Sequence, residues 1–577
     1  MPKDMSPSRK RLFWAIIVLI IILVPLIAFE VGLRLVGVRV SDDPYLQFGP
    51  VQSVFVSQTI NGREYYHMAD RKLYRERNLT FPVHKDPGTF RVFCLGASAS
   101  AGWPHPKEEI YSAYLGEALK RAYPDKKIEV INISAHSYPA YRVRLIAKEA
   151  LNLDPNLLII WSGNAEFIEP RIYTKHWFDP ALGLLNRSTL YRVLRGTPLA
   201  RKWVSDNTLP ADYVRWQRGT MLAQVPPETR TDPVQLKRVE EHYAYSIDSI
   251  VKSAQEQGVP VILLTVPVNL RDWHPNVSHQ TLKGEELARW QEHYYRGRAA
   301  LIKNELDTAL SELKLAASLA PEHADAYYFL GRALERSGQF TEAIAAYSRA
   351  RDLDYYPSRA ISNFNVTVRK VASQNDGVEL ADAEAAFWAD SAPRAPGFEL
   401  FLDYVHPSMR GNLIAAKTVF DTIAKHKMVE GASPVAEFSH EPRPYHCGEE
   451  KRHSIAATGC PATVGLYGDN TDFPMQVLLV KLFAQMNQNE NLATKLDDLE
   501  RAPGIEALDE MSKALLADAR SVYRRLVDLE RRRLLGEPVD ADAGMKVAED
   551  DLEKFQLKYY WGYRKLQKKV AQQKGGN

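Results

Sequence analysis

Phe90-Arg91-Val92-Phe93-Cys94-Leu95-Gly96-Ala97-Ser98-Ala99-Ser100 is the stretch on which the reading of the fold turns. Phe90–Leu95 is apolar but for Arg91, has the length of a buried strand, and runs directly into small residues. Glycine, alanine and serine after a strand make a strand-to-helix turn. A serine there is exposed, lies near a helix N-terminus, and has neighbours small enough for a substrate to approach. Gly-x-Ser is common in loops of α/β chains, so the turn by itself specifies no chemistry.

Working outward, the alternation continues. Ile110–Ala122 has helical spacing, Ile128–Ile133 reads as a strand, Tyr141–Leu151 as a helix and Leu157–Trp161 as a strand. Leu236–Gln257 is again helical and Val259–Val266 reads as a buried strand. Short apolar runs alternating with amphipathic helices predict an α/β fold with a parallel sheet covered on both faces. Functional residues are then expected at the C-terminal strand ends. Residues 41–90 read as an irregular lead-in. Residues 170–235, with Trp177, Tyr191, Trp203, Tyr213 and Trp216, read as an insertion over the sheet's upper edge, where lid and packing roles are both open.

The 577 residues are too many for one core and suggest about three or four domains. Hydrophobic residues make up 45% and charged residues 25%, as in globular proteins. Lys and Arg total 74 against 71 Asp and Glu, a formal charge of +3, so no global field argues for nucleic acid. The N-terminus is different. Lys3, Arg9, Lys10 and Arg11 precede an apolar run, and Phe13–Leu35 is long enough for a hydrocarbon core of about 30 Å, with Arg34 able to snorkel at its end. A cleaved signal peptide is the alternative, but no small-x-small site follows the run. An uncleaved signal anchor over residues 13–36 is expected, with a cytoplasmic tail at 1–12 and everything after about residue 40 exported, into the periplasm if the cell is bacterial.

An internal repeat occupies residues 290–357. Trp290, Gly297, Ala309, Ala316 and Pro321 recur 34 residues on as Ala324, Gly331, Ala343, Ala350 and Tyr355, the period of tetratricopeptide (TPR) units. Two copies need neighbouring helices for stability. Their role is either structural or that of a surface for a protein partner. Residues 429–473 read as a linker, and 474–577 as helical, forming a hairpin or coiled segment. Cys94 reads as a small buried hydrophobe, while Cys447 and Cys460 are close enough in sequence to pair if exported. Zinc on His446, Cys447, His453 and Cys460 is the rival, disfavoured because no CxxC spacing is present. No Walker loop, dinucleotide fingerprint or EF-hand loop occurs, and no cofactor is called for.

Far downstream, Asp403-Tyr404-Val405-His406 places an Asp three residues before a His. One short turn can hold that carboxylate against the imidazole while the imidazole faces a serine, which supplies nucleophile, base and orienter. His105, His136 and His274 are rival bases, but none has an Asp at a helpful spacing.

At this point the chain resembles the SGNH (GDSL-like) hydrolase superfamily. Arg91–Ser98 is similar to its first block, Val130-Ile131-Asn132-Ile133-Ser134 to its second, Trp161–Phe167 to its third and Asp403–Asn412 to its last, in the family's order. Within it, the chain resembles bacterial membrane-anchored members with a TPR insertion, and Pro267–Asp272 is similar to a segment of that subgroup. The resemblance covers roughly 40–425. It implies a flavodoxin-like three-layer parallel sheet, divided into residues 41–289 and 358–428 around the TPR insertion. It also implies a carboxylic-ester hydrolase or O-acyltransferase in which Ser98 attacks the ester, His406 moves the proton and Asp403 fixes the imidazole. The substrate is an acyl ester, with acylated polysaccharide as the class suggested by analogy. The oxyanion is expected on the N–H of Ser98, the N–H of Ser134 and a side chain in Gly163-Asn164-Ala165. Two departures stand out: Ser134 replaces a glycine, and Ala165 stands where the family has asparagine, leaving Asn164 as the adjacent amide. They motivate a second reading, a catalytically impaired scaffold that binds a glycan or an assembly partner. Glu166 is expected to brace its loop, and Arg271 either to hold an anionic group or to pair with Asp272 or Glu166.

Overall fold

The computed structural model describes residues 7–36, 55–68, 80–105, 107–168, 188–195, 233–355, 357–431, 483, 488–501 and 510–537. Cys447, Cys460, nearly all of the linker and most of the 170–235 insertion lie outside the described residues. The chain divides into two units, residues 1–56 with 170–219, and residues 57–169 with 220–577.

In the first unit, a helix spans Pro7–Leu35. Its stretch Phe13–Leu35 is long and apolar enough to cross a membrane, and none of it is buried in the protein. Glu30 on this helix accepts from Ser188 Oγ at 2.8 Å and from the backbone N–H groups of Thr189 and Leu190 at 2.8 and 2.7 Å. Its carboxylate thereby caps the short helix Thr189–Arg195, whose first N–H groups have no intrahelical acceptor.

A small sheet comprises β1 (Phe55–Ile60), whose residues from 57 onward belong to the second unit, β2 (Arg63–Met68) and β3 (Thr80–Pro82), with β3 antiparallel to β2. The main sheet has five strands: β4 (Thr89–Gly96), β5 (Lys127–Asn132), β6 (Leu157–Trp161), β7 (Val261–Leu264) and β8 (Val378–Ala381). They run parallel in the order β5-β4-β6-β7-β8. Helices Tyr111–Ala122 and Met409–Lys425 pack together on one side; Ala140–Ala150, Pro233–Gln255 and Ser362–Gln374 form the other group. This is the three-layer, doubly wound α/β arrangement expected. The strands lie buried between helices, which is why Val92–Leu95 and Leu157–Ile160 are continuous apolar runs. Arg91 is tolerated inside β4 because its guanidinium donates to Glu129 at 2.9 Å and to the carbonyls of Leu153 and Pro82 at 2.8 and 3.0 Å.

β7 is shorter than the expected Val259–Val266, since only Val261–Leu264 pair along β6 and β8. β8 was not foreseen: its four residues have half-buried Glu379 and Leu380 at the centre and carry no alternation.

Between β7 and β8 lie two helical hairpins, Gly284–Lys303 with Leu306–Leu319 and Ala324–Arg336 with Phe340–Asp352. Each hairpin crosses at a glycine: a Cβ on Gly297 would lie 2.6 Å from Leu313 Cγ, and one on Gly331 2.7 Å from the Tyr347 ring. The C-terminal helices Asn489–Arg501 and Glu510–Leu535 pack together, and the latter packs on Gly284–Lys303. Arg298 joins the two, with Glu530 at 2.9 Å and its guanidinium 4.2 Å over the Phe329 ring.

Candidate active site

The strand order reverses between β4 and β6, whose neighbours lie on opposite sides. Parallel sheets of this kind take ligands outside the carboxyl ends of the strands at such a switch point. β4 ends at Gly96 and β6 at Trp161, paired in register, so the turns carrying Ser98 and Gly163 emerge side by side. Gly96 is required there, because a Cβ would lie 2.0 Å from the Trp161 carbonyl oxygen and 2.6 Å from Ser100 Cβ. Ser98 opens the short helix Ser98–Ala101, so its N–H has no intrahelical acceptor. It is half-buried, while the flanking Ala97 and Ala99 are buried.

His406 Nε2 lies 2.8 Å from Ser98 Oγ, and His406 Nδ1 lies 2.5 Å from Asp403 Oδ2. The loop holding this pair is closed on itself: Leu402 N–H donates to the His406 carbonyl at 2.8 Å, and Phe401 bridges to Pro407. Asp403 Oδ1 accepts the N–H groups of Val405 and His406, both at 2.8 Å. Both carboxylate oxygens are therefore occupied, and Asp403 is fully buried. That arrangement places a proton on Nδ1 and leaves the Nε2 lone pair for the serine hydroxyl. After the loop, Ser408 caps the helix Met409–Lys425 by accepting from Gly411 N–H, and Asn412 Oδ1 accepts from Tyr111 N–H at 3.0 Å. The Trp103 ring packs edge-on against the His406 ring, centroids 4.5 Å apart.

The other expected positions fall differently. Ser134 points its hydroxyl inward, 2.8 Å from Ser100 Oγ, which in turn lies 3.1 Å from Tyr111 OH. This buried chain of hydroxyls is what accommodates serine in place of glycine. The Ser134 N–H donates to Asn132 Oδ1 at 3.0 Å, so it reaches an oxyanion only by sharing or leaving that bond. Asn164 is buried and its Oδ1 accepts from Ala360 N–H at 3.0 Å, which fixes the amide adjacent to buried Ala165. Gly163 has φ +147°, and the carbonyl before it accepts from Tyr243 OH at 2.9 Å. Glu166 braces more than its own loop: it accepts from Ala140 N–H at 2.6 Å, at the start of the helix Ala140–Ala150.

Among the rival bases, His105 Nε2 donates to the Pro407 carbonyl at 2.8 Å, and burial pulls its pKa down to about 4. His274 Nδ1 donates to the Pro275 carbonyl at 2.6 Å. Neither makes a hydrogen bond to Ser98 among those described. Arg271 pairs with Asp272 at 2.9 Å and also with Glu399, so its guanidinium is neutralised within the protein. Cys94 is a buried hydrophobe as expected, with its thiol pushed up to about 12 by burial. Among the described residues no group of three or more His, Cys, Asp and Glu side chains forms a metal cage. Asn269, which follows a strand and is expected near the active face, sends its amide to the Asp403 backbone at 3.0 Å, a contact with no local signal because 134 residues separate them.

A tetratricopeptide-repeat family model matches residues 324–356, which span the second hairpin. No curated protein matches the chain. Among solved structures, the chain is similar to an acetylxylan esterase from Geobacillus stearothermophilus, 12% identical with a TM-score of 0.29, covering 58% of this chain and 95% of that one. It is also similar to a protein described as a GDSL-like lipase from Parabacteroides merdae, 11% identical with a TM-score of 0.28, covering 59% of this chain and 97% of that one. An alpha/beta hydrolase enzyme from the metagenome of Lake Arreo is similar at 12% identity and a TM-score of 0.27, covering 60% of this chain and 99% of that one.

Proposed function

We propose that the chain is a membrane-anchored serine esterase of the SGNH type, hydrolysing or transferring O-acyl groups on the exported side of a membrane. The observation that carries this reading is the hydrogen-bonded series Ser98 Oγ, His406 Nε2, His406 Nδ1, Asp403 Oδ2, with spacings of 2.8 and 2.5 Å. In this reading Ser98 Oγ attacks the ester carbonyl carbon while His406 Nε2 takes the hydroxyl proton. The tetrahedral intermediate collapses, the C–O bond to the alcohol breaks, and the imidazolium returns its proton to that alcohol. Water or a sugar hydroxyl then attacks the acyl-Ser98 ester with His406 again as base. Asp403, held by three hydrogen bonds, keeps the imidazole in the required tautomer throughout. The Ser98 N–H is the oxyanion donor without an intrahelical acceptor. An acylated polysaccharide is the proposed substrate class, and the apolar helix Phe13–Leu35 the proposed anchor.

Hydrolysis of p-nitrophenyl acetate by residues 41–577 beside the Ser98→Ala protein tests the reading. Turnover lost in the variant supports a serine esterase. The second reading, a binding scaffold, is favoured by Ala165 and by the engagement of the Ser134 N–H with Asn132. No turnover and no fluorophosphonate labelling of folded wild-type protein would select it.

A further inference from the structure

Residues 265–272 connect β7 to the rest of the insertion without helix or strand, so their carbonyls and those just beyond cannot be satisfied by a regular ladder. Nearly every one from 269 to 274 is instead taken by a side chain from elsewhere. Arg359, fully buried, donates to the carbonyls of Asn269 at 2.6 Å and Trp273 at 2.8 Å. Tyr328, on the second TPR hairpin, donates to the Arg271 carbonyl at 3.0 Å. From the C-terminal region, Asn491 donates to the Asp272 carbonyl at 3.0 Å and Gln488 to the His274 carbonyl at 3.3 Å.

The same segment faces the acid–base loop. Asn269 is fully buried; its Nδ2 donates to the Asp403 carbonyl at 3.0 Å and its own N–H to the Tyr404 carbonyl at 3.0 Å. Its Oδ1 accepts from Asp272 N–H at 3.0 Å, which fixes the amide orientation. Trp273 is fully buried with its ring 5.1 Å from that of Tyr404, which lies 5.9 Å from the His406 ring. Trp273 also meets the Phe483 ring, with centroids 5.1 Å apart.

We propose that Asn269 is a positioning residue for the Asp403–His406 loop, and that the TPR hairpins and C-terminal helices act on the site by holding the 269–274 segment in place. The proposal rests on the esterase reading for the identity of the reacting groups. It assigns the helical appendages a function inside the chain: they set the geometry of the acid–base pair. The physical reason is rigidity. A loop of irregular backbone holds a carboxylate and imidazole in line only when its supports are themselves fixed, and here those supports come from elements more than 50 residues away in sequence from Asp403, such as Tyr328 and Asn491.

The test uses the full-length protein and two variants, Asn269→Ala and Tyr328→Phe. Three quantities are read: kcat and KM for p-nitrophenyl acetate, the rate of fluorophosphonate labelling of Ser98, and the downfield proton resonance of the His406–Asp403 hydrogen bond, identified by its loss in Asp403→Asn. The proposal expects Asn269→Ala to lower kcat and the labelling rate about 10-fold with KM unchanged, and to shift or broaden the resonance. Tyr328→Phe, remote from the triad, is expected to do the same more weakly, about 3-fold. A folded Asn269→Ala protein with wild-type kcat and an unchanged resonance overturns the proposal. If Asn269→Ala fails to fold, Tyr328→Phe decides by the same readouts. If wild-type protein neither turns over nor labels, the esterase reading falls, and the resonance alone decides whether Asn269 positions the pair.

Discussion

On the proposed esterase reading, replacing Asp403 with asparagine removes the carboxylate that orients the His406 imidazole toward Ser98. The two side chains are nearly the same size, so the buried site accepts the change without a cavity. Asp403 Oδ1 accepts the backbone N–H groups of Val405 and His406, both at 2.8 Å, and an amide oxygen at that position accepts them as well. The amide nitrogen then falls where Oδ2 was, 2.5 Å from His406 Nδ1. Two donors cannot face each other, so the imidazole moves its proton to Nε2, which points at Ser98 Oγ from 2.8 Å. The base has become a donor and cannot take the serine proton. In a well-studied serine protease this change lowers kcat about 10⁴-fold, or about 5.5 kcal/mol in the barrier. The same loss is expected here in kcat/KM for p-nitrophenyl acetate and in the fluorophosphonate labelling rate, with thermal unfolding little changed. An Asp403→Asn protein retaining more than about a tenth of wild-type activity would refute the orientation argument.

Three further outcomes are expected. His105 has a folded-state pKa near 4, below its ordinary value, so the unfolded chain binds a proton that the folded chain does not; stability is full above about pH 6.5 and falls as pH drops toward 4, by about 3 kcal/mol, and a His105→Gln protein should show that much less acid sensitivity in its melting profile. Gly331→Ala places a methyl 2.7 Å from the Tyr347 ring and should destabilise the second TPR hairpin by about 1–3 kcal/mol, seen as a lower Tm; an unchanged Tm would show that the hairpin gives way freely. Membrane fractionation should find the full chain in the detergent-soluble membrane pellet and residues 41–577 in the soluble fraction, and a soluble full chain would refute the anchor.

Much of the fold was legible because its signals are local. β4 and β6 are largely apolar runs of strand length bounded by small or polar residues, and the edge strand β5 carries Ile128, Val130 and Ile131 between polar residues. The TPR hairpins were legible for a related reason: their crossing glycines, Gly297 and Gly331, recur at the repeat period. β8 was not, because Val378–Ala381 is too short and too mixed to show a period. At the site, Ser98, Asp403 and His406 were nominated by spacing and order, and the structure brings all three together. For the expected oxyanion positions, the partners of Ser134 N–H and Asn164 Oδ1 are Asn132 and Ala360, which no local pattern announces.

By itself, then, the sequence determined most of the strand and helix segments, the α/β alternation along the chain, the apolar N-terminal helix and the 34-residue repeat. Each of these depends on side chains within a few residues of one another or on a fixed period, so patterning alone carries it. Only the tertiary structure decided that the Ser98 turn and the 401–407 loop meet at the sheet's switch point, across 308 residues of chain. Only it showed that Arg271 is neutralised by Asp272 and Glu399, that Glu30 caps the helix at Thr189, and that the Asn269 amide donates to the Asp403 carbonyl. A hydrogen bond has a range of about 3 Å and a strict direction, so which polar groups satisfy one another is settled by the packing of distant elements.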